Sequence, residues 1–199
     1  MRGMDTPDLA LEPVELLAGG YRLRPPSPRE AEDVLAMAQD ADIRIWNALT
    51  SVTDKETALA WCERWSDWNA RASAQWCVLD AAEGRLLGAI SLFEIDTQHS
   101  AAEIGYRVAP WARGRGVGTA ALRAVADWAF GELGLTRLQL LHALGNPASC
   151  RVATKAGFVL EGTLRSSYRY GDGELHDEHL HARLASDRLP PAGTGAGSS

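Results

Sequence analysis

Lysine is nearly missing from this chain of 199 residues, and cysteine is also scarce. Lys55 and Lys155 are the only lysines, and neither stands in the Gly-Lys-Ser/Thr order of a Walker phosphate loop, which excludes that type of nucleotide site. The cysteines are Cys62, Cys77 and Cys150. They are odd in number and show no Cys-x-x-Cys spacing, which argues against a disulfide framework and against a cysteine-based zinc site.

Long apolar runs are absent as well. No stretch is apolar for long enough to span a bilayer, and residues 1–10 lack the basic patch and hydrophobic stretch of a secretion signal. We therefore expect a cytoplasmic protein without a membrane partner. The net charge of −6 disfavours nucleic acid as a partner and suits a cationic, amine-bearing molecule.

The composition favours one folded domain, because 46% of the residues are apolar and the length suits a single core. We expect this domain to span residues 14–186. The segment 1–13 is predicted to be flexible. The tail 187–199 is rich in proline, glycine and serine, has little to bury and is predicted to be disordered.

Strand-like and helix-like patterns alternate through the domain. The predicted strands are 21–24, 75–80, 85–95, 102–108, 137–143, 158–165 and 175–184. Four helices are predicted: the first spans 27–41, the second starts near 53, the third runs from 117 to 131 or 134, and the fourth spans 146–156. Thr53 and Glu56 are predicted to form the capping box that starts the second helix. This order indicates a mixed α/β fold.

A glycine-rich loop joins the strand 102–108 to the helix that follows it. Its residues are Arg113, Gly114, Arg115, Gly116, Val117, Gly118 and Thr119. A helix N-terminus presents free N–H groups and a partial positive charge, and glycines let a phosphate approach the backbone. The arginines can add charge-assisted contacts. The glycine spacing does not fit a Rossmann fingerprint, so we interpret the loop as a different pyrophosphate site.

The loop resembles the pantetheine-diphosphate loop of GNAT-fold acyltransferases, R/Q-x-x-G-x-G/A, at Arg113, Gly116 and Gly118. Residues 146–158 look like the N-x-x-S-x-x-V-x-x-K-x-G-F segment of the RimJ/RimL-type branch, and residues 103–106 and 161–165 extend the likeness. The resemblance implies the GNAT fold: a mixed, mostly antiparallel central sheet flanked by helices.

The resemblance also implies a function and a cofactor site. It implies transfer of an acyl group, acetyl from acetyl-CoA in the first instance, directly to a primary amine of a small molecule or protein N-terminus. The backbone groups of Tyr106 and Val108 are expected to hold the pantetheine arm. Asn146 has two competing interpretations, a helix N-cap and a pantetheine contact, and the resemblance favours the contact.

Acyl transfer to an amine needs a base, because amines are mostly protonated at pH 7. Glu103 is the leading candidate for this base. An equally good interpretation is that Glu103 is an ordinary exposed carboxylate on a strand, and Glu94 and Asp96 are the reserve candidates. Ser149 is the candidate donor to the departing thiolate, weighed against a plain helix-start serine. Many GNAT enzymes place a tyrosine four positions further on, where this chain has Ala153.

Other chemistry-bearing residues favour structural interpretations. Cys150 is expected to be a small buried residue, since direct transfer needs no cysteine nucleophile. Trp46 and Trp68 are expected in the core rather than in an acceptor pocket. One group could in principle bind a metal: His176, Asp177, Glu178, His179 and His181. Only three of these share one strand face, so we expect no metal.

Two alternatives to acetyl transfer stay open. Succinyl-CoA could be the donor, in which case Arg165 and Arg169 would matter near the acyl end. The fold could also bind acyl-CoA as a sensor without turnover. No motif identifies the acceptor, and the resemblance leaves a homodimer open as an oligomeric state.

Overall fold

The computed structural model describes residues 11–46, 49–68 and 73–188. The strands are β1 (Leu16–Ala18), β2 (Tyr21–Arg24), β3 (Ala74–Asp80), β4 (Leu86–Asp96), β5 (Ala101–Val108), β6 (Arg137–Ala143), β7 (Val159–Arg169) and β8 (Leu175–Leu184). The α-helices are α1 (Ala31–Ala38), α2 (Ala41–Trp46), α3 (Lys55–Ser66), α4 (Val117–Gly131) and α5 (Pro147–Lys155). Among the described residues, no helix combines the length and apolar character that crossing a bilayer requires.

The strands form one eight-stranded open sheet in the order β1-β2-β3-β4-β5-β6-β8-β7. Every neighbouring pair is antiparallel except β5 and β6, which run parallel and are connected through α4. Helices cover the sheet. The predicted GNAT fold, mixed and mostly antiparallel, is therefore confirmed.

The apolar core lies between the sheet and the helices. Three tryptophans pack edge to face in it, with ring centroids 4.6 Å apart for Trp68 and Trp76 and 5.2 Å apart for Trp76 and Trp128. Trp68 is 1% exposed, which confirms its predicted place in the core. Leu11 is also 1% exposed, so the packed part of the chain includes a residue of the segment 1–13 that was predicted to be flexible. The tail beyond residue 188 lies outside the described residues.

The first helices differ from their prediction. The single predicted helix 27–41 is a short 3-10 turn, Pro28–Glu30, followed by α1 and then by α2 as a separate helix. The capping box of α3 is formed by Asp54 and Thr57, not by Thr53 and Glu56: the Asp54 carboxylate accepts from the Thr57 N–H at 2.8 Å. Asp54 was missed because Thr53 and Glu56, one position earlier, match the Ser/Thr-x-x-Glu pattern of a capping box.

Candidate active site

Strands β5 and β6 separate from each other at the centre of the sheet. They are paired only at Ala101–Arg137, Ala102–Leu138 and Glu103–Gln139. Beyond Glu103, β5 continues to Val108 while β6 diverges from it. The divergence leaves the backbone edge of β5 free on that side, so the sheet has a cleft that can accept an extended group by strand-like hydrogen bonding.

The backbone groups of Tyr106 and Val108 face this cleft. The Ala109 N–H donates to the Leu87 carbonyl at 2.9 Å, and the Gly105 carbonyl is turned toward Ser91 on β4. Backbone groups of successive strand residues point to opposite edges, so those of Tyr106 and Val108 point away from β4. They are therefore free to pair with a ligand in the cleft, and their role of holding a pantetheine arm stays a prediction.

A cavity lies at the cleft. Its lining residues are Trp46, Gly105, Tyr106, Leu140, Leu141, His142, Asn146, Ser149 and Tyr170. Trp46, expected in the core, is instead half-buried at this cavity and makes edge-to-face contacts with Tyr170 and His176 at 5.5 Å. The reason is that α2 ends at the cavity rather than under the sheet, which the one-helix prediction for 27–41 could not show.

Ser149 is joined to Tyr106 within the cavity. The Tyr106 hydroxyl donates to the Ser149 Oγ across 3.2 Å, and Ser149 is 8% exposed. Burial raises the pKa of the Tyr106 phenol to about 12, so it stays protonated and remains a donor at neutral pH. The side chain of Tyr106 was not predicted to take part in the site, because no spacing rule relates a strand residue to a helix residue 43 positions later.

Asn146 acts as the N-cap of α5. Its side-chain oxygen accepts from the Ser149 N–H at 3.2 Å, which fixes the first turn that carries Ser149. Pro147 at the first position favours the same start. Since the amide oxygen is used in the cap, only the amide N–H groups of Asn146 could also serve a pantetheine carbonyl.

Gly118 allows the start of α4 to pack closely on Tyr106. A Cβ at Gly118 would lie 2.9 Å from Cε2 of Tyr106 and 3.2 Å from Cγ1 of Val152. A side chain at this position would therefore displace the tyrosine ring or α5. The third glycine of the loop thus maintains the hydrogen bond between Tyr106 and Ser149.

The N-terminus of α4 is built to accept an anion. Gly116, with φ of 82°, is its N-cap, and no side chain caps the helix. The first turn contains no acidic residue, and its N–H groups at Val117, Gly118 and Thr119 have no acceptor within the helix. Gly114, with φ of 77°, supplies the second left-handed position of the loop. A diphosphate fits these donors and the partial positive charge of the helix.

Both arginines of the loop are paired with carboxylates. Arg113 donates to Asp40 and, at 3.2 Å, to Asp42. Arg115 donates to Asp80 at 3.0 Å. The two arginine side chains are 42% and 48% exposed, whereas the side chains of Asp40 and Asp80 are 16% and 17% exposed. Both carboxylates also accept backbone N–H groups, from Ile43 at 3.0 Å and from Ala82 at 3.0 Å, so they keep a partner if the arginines turn to phosphate oxygens. The loop is thereby tied to the start of α2 and to β3.

Glu103 lies at the last paired position before β5 and β6 diverge. It is half-buried, and its pKa is raised to about 7 by burial first and by the nearby charges of Glu178 and Glu94 second. Glu103 and Tyr106 are three positions apart on one strand, so their side chains leave opposite faces of the sheet. Glu103 does not line the cavity of Ser149 itself.

The reserve candidates have weaker environments. Glu94 and Asp96 are both exposed. The Asp96 carboxylate accepts from the backbone N–H of His99 at 2.9 Å and contacts the ring nitrogen of His99 at 2.7 Å. The contact with the ring is the main cause that lowers the pKa of Asp96. A carboxylate with a lowered pKa is a weak base at neutral pH. The environment of Glu103 is therefore the one that suits proton acceptance.

The five neighbouring residues of β8 that could bind a metal according to the sequence, 176–179 and 181, do not come together in the structure. His176 contacts Asp172 at 2.8 Å, Asp177 accepts from the Ser166 N–H at 2.8 Å, and Glu178 accepts from Tyr170. His179 and His181 instead face His142 of β6. Burial is the main cause that lowers the pKa of the His142 and His181 imidazoles.

Comparison with known proteins places this fold and site in one family. Residues 21–159 match the acetyltransferase (GNAT) domain family. The ribosomal-protein-serine acetyltransferase of Escherichia coli (strain K12) is 33% identical over 102 residues, 51% of this chain and 56% of that protein. YdaF of Bacillus subtilis (strain 168), named as a ribosomal N-acetyltransferase, is 41% identical over 95 residues, 48% of this chain. That match spans 51% of the length of YdaF, so it covers about half of this relative.

Solved structures agree over nearly the whole domain. A crystal structure of an acetyltransferase superposes with a TM-score of 0.78 at 27% identity, covering 88% of this chain and 99% of that one. The ribosomal L7/L12 acetyltransferase RimL with coenzyme A has the same fold, with a TM-score of 0.76 at 20% identity, covering 86% of this chain and 98% of that one. The chain belongs to the acetyltransferase (GNAT) domain family.

Proposed function

We propose that the protein transfers an acetyl group from acetyl-CoA directly to a primary amine. The observation that carries the proposal is the partly buried Tyr106–Ser149 hydrogen bond in a cleft that opens beside the free N-terminus of α4. Bound acetyl-CoA would supply a thioester-activated acetyl group. The residues of the chain then have three tasks: to hold the ligand, to accept a proton from the amine and to stabilise the departing sulfur.

The diphosphate would be held by the α4 N-terminus. The N–H groups of Val117, Gly118 and Thr119 serve as donors, and Arg113 and Arg115 exchange their carboxylate partners for phosphate oxygens. Gly114 and Gly116 support this contact because no Cβ stands between the backbone and the anion.

The pantetheine arm would lie along the free edge of β5, where its amides pair with backbone groups of Tyr106 and Val108. The amide N–H groups of Asn146 provide a further donor at the opposite side of the cleft. This placement directs the sulfur toward Ser149.

Glu103 would accept the proton of the amine through water. Its pKa of about 7 lets the carboxylate be ionised and yet basic enough to act near neutral pH. Because Glu103 and Tyr106 leave opposite faces of β5, the carboxylate of Glu103 and the hydroxyl of Ser149 lie on opposite sides of the strand. This arrangement keeps the base away from the leaving thiolate.

Ser149 would donate a hydrogen bond from its hydroxyl to the departing sulfur, which leaves as a thiolate while the serine keeps its proton. The Tyr106 hydroxyl already donates to the Ser149 oxygen, so the serine proton is free to point into the cavity. The N-terminus of α5 adds a partial positive charge next to the developing negative sulfur. A buried site strengthens both effects.

The cavity favours acetyl over succinyl. No arginine or lysine is among the described residues that line it, and Arg165 and Arg169 lie on exposed positions of β7. A succinyl carboxylate would therefore lack a charge partner at the acyl end.

The acceptor is proposed to be a cationic primary amine. Trp46 and Tyr170 offer aromatic faces at the cavity, and the carboxylates of Glu103 and Glu178 are close enough for Glu178 to raise the pKa of Glu103. One relative is the spermidine N(1)-acetyltransferase of Vibrio cholerae, 31% identical over 99 residues, and another acts on a ribosomal protein. Polyamines and protein N-termini are therefore the first acceptors to test.

The test measures release of free CoA from acetyl-CoA and succinyl-CoA with a polyamine, an N-terminal peptide and no amine. We expect amine-dependent release with acetyl-CoA, and an acetylated amine by mass spectrometry. Calorimetric titration of both CoA esters measures binding in parallel. Binding without CoA release for any amine would overturn the enzymatic proposal in favour of an acyl-CoA sensor, and absence of binding would overturn both.

A further inference from the structure

Three of the five histidines lie together between the sheet and α5. His142 on β6 is paired with His179 on β8, and His181 shares its face of β8. The ring of His142 is 5.3 Å from that of His179 and 5.2 Å from that of His181. Cys150 of α5 completes the group, called here the His–Cys cluster. The four ligand atoms all lie within 4.8 Å of one another.

The nitrogens of this cluster lack partners. Within the described part of the chain, Nε2 of His142, Nδ1 of His179 and Nε2 of His181 are buried and make no hydrogen bond. His142 is 5% exposed and His181 is 1% exposed. A buried polar atom without a partner is unfavourable because it has lost its hydrogen bonds to water, so three in one place need a physical explanation.

The backbone fixes two of the rings for metal ligation. Nδ1 of His142 is 2.8 Å from the Ala143 carbonyl, and Nδ1 of His181 is 3.4 Å from the Phe158 carbonyl. A carbonyl can only accept, so each Nδ1 carries the proton and each Nε2 presents a lone pair to the cluster. Histidines that bind metals commonly donate their other ring N–H to a backbone carbonyl in this way.

We propose that the His–Cys cluster binds one Zn²⁺ ion. Three imidazole nitrogens and one thiolate supply four ligands of the two types that Zn²⁺ prefers, which is the number that a closed tetrahedral site requires. Tetrahedral bonds to nitrogen and sulfur place ligand atoms about 3.3 to 3.7 Å apart, so the widest pair must close by roughly 1 Å. Small changes of side-chain torsion achieve this. The set contains no carboxylate, which disfavours Ca²⁺ and Mg²⁺.

The proposal departs from the expectation, drawn from the sequence, that no metal binds. The sequence showed only the histidines of β8, while His142 and Cys150 reach the site through the β6–β8 pairing and the packing of α5. The ion has no part in the proposed acyl transfer. It would join α5 to β6 and β8 beside Ser149 and so stabilise the helix that carries this residue.

The experiment uses the full chain, freed of metal by a chelator and then dialysed. Titration with Zn²⁺ should give one ion per chain by elemental analysis, and should raise the melting temperature. Titration with Co²⁺ should give the intense visible bands of tetrahedral cobalt and a thiolate charge-transfer band. Cys150→Ser should abolish the charge-transfer band, and His179→Gln should lower the Zn²⁺ affinity by at least roughly a hundredfold.

The matched control is His176→Gln, on the same strand but outside the cluster, which should keep wild-type affinity. Circular dichroism checks that each variant folds, and if one fails to fold, the other decides. A stoichiometry that Cys150→Ser and His179→Gln leave unchanged would show binding elsewhere and overturn the site. A cobalt complex without the charge-transfer band, or binding of Cu²⁺ but not Zn²⁺, would overturn the assignment of ligand or metal.

Discussion

At the scale of single residues, the raised pKa of Glu103 makes a direct prediction for the pH dependence of turnover. A base with a pKa of about 7 carries its proton below that pH and cannot accept another, so kcat/KM should fall as the pH drops through 7. Glu103→Gln should lower kcat/KM at pH 8 by roughly a hundredfold or more. It should also remove the acidic limb of the pH profile, which is the fall of kcat/KM below pH 7. Steady-state rates between pH 5.5 and 9 measure both.

Glu94→Gln is the matched control for that experiment, because it removes a neighbouring carboxylate that is exposed. Removing its charge should lower the pKa of Glu103 slightly, since Glu94 is one of the charges that raise it. The limb should therefore move to lower pH and keep its height. A Glu103→Gln profile with an unchanged limb would assign the limb to the amine substrate and reject Glu103 as the base.

The Tyr106–Ser149 pair makes a second prediction. Ser149→Ala should lower kcat on the order of a hundredfold and leave the affinity for CoA nearly unchanged, since the hydroxyl acts on the departing sulfur. Tyr106→Phe keeps the ring and removes one hydrogen bond, so it should cost roughly tenfold.

The double variant separates a coupled pair from two independent residues. If Tyr106 acts through Ser149, the double variant should be no slower than Ser149→Ala alone. If the fold-losses of the two single variants multiply in the double variant, Tyr106 acts independently of Ser149. An unaltered rate in Ser149→Ala would reject the donor role of Ser149. Pre-steady-state release of CoA distinguishes slow chemistry from slow product release.

At the scale of elements, the packing of α4 on β5 depends on Gly118. Ala at this position would bring its Cβ to 2.9 Å from the Tyr106 ring. Gly118→Ala should therefore destabilise the fold by about 1 to 3 kcal/mol and lower kcat about as much as Tyr106→Phe. Thermal melts and steady-state rates measure the two effects.

Gly131, near the other end of the same helix, is the matched control. No atom lies within 4 Å of a Cβ placed there, so Gly131→Ala should be neutral or stabilise by a few tenths of a kcal/mol. If Gly118→Ala were as stable and active as Gly131→Ala, the close packing of α4 on Tyr106 would have no bearing on the site.

The elements also show what the sequence could and could not predict. Strands with alternating burial, such as β5, and helices with a proline start, such as α5, follow from local pattern and were predicted near their observed bounds. The separate helix α2 was missed although a local signal marks its start: Asp40 directly precedes the helix, and its carboxylate accepts from the Ile43 N–H at 3.0 Å. The partners of Arg113 and the link between Tyr106 and Ser149 were missed because they depend on how distant segments pack.

At the scale of the whole molecule, the sheet consists of two parts that are weakly joined. Among the described strands, the ladder that joins β1 to β5 with β6, β8 and β7 consists of the three pairs from Ala101–Arg137 to Glu103–Gln139. A ligand that lies in the cleft beyond Glu103 makes contacts with both parts. It should therefore stabilise the entire fold and not just the loop.

Acetyl-CoA at 100 times its dissociation constant should add about 2.7 kcal/mol of stability, which raises the melting temperature of a chain this size by roughly 5 to 10 °C. Gly116→Asp places a negative charge at the N-terminus of α4 and should abolish the rise. Gly84→Asp is the control, since the φ of Gly84 is 71° and that of Gly116 is 82°. At both positions the space around an added Cβ is open. The control variant carries the same backbone strain and should keep the full rise. Equal shifts in the two variants would show that the diphosphate does not bind at the α4 N-terminus.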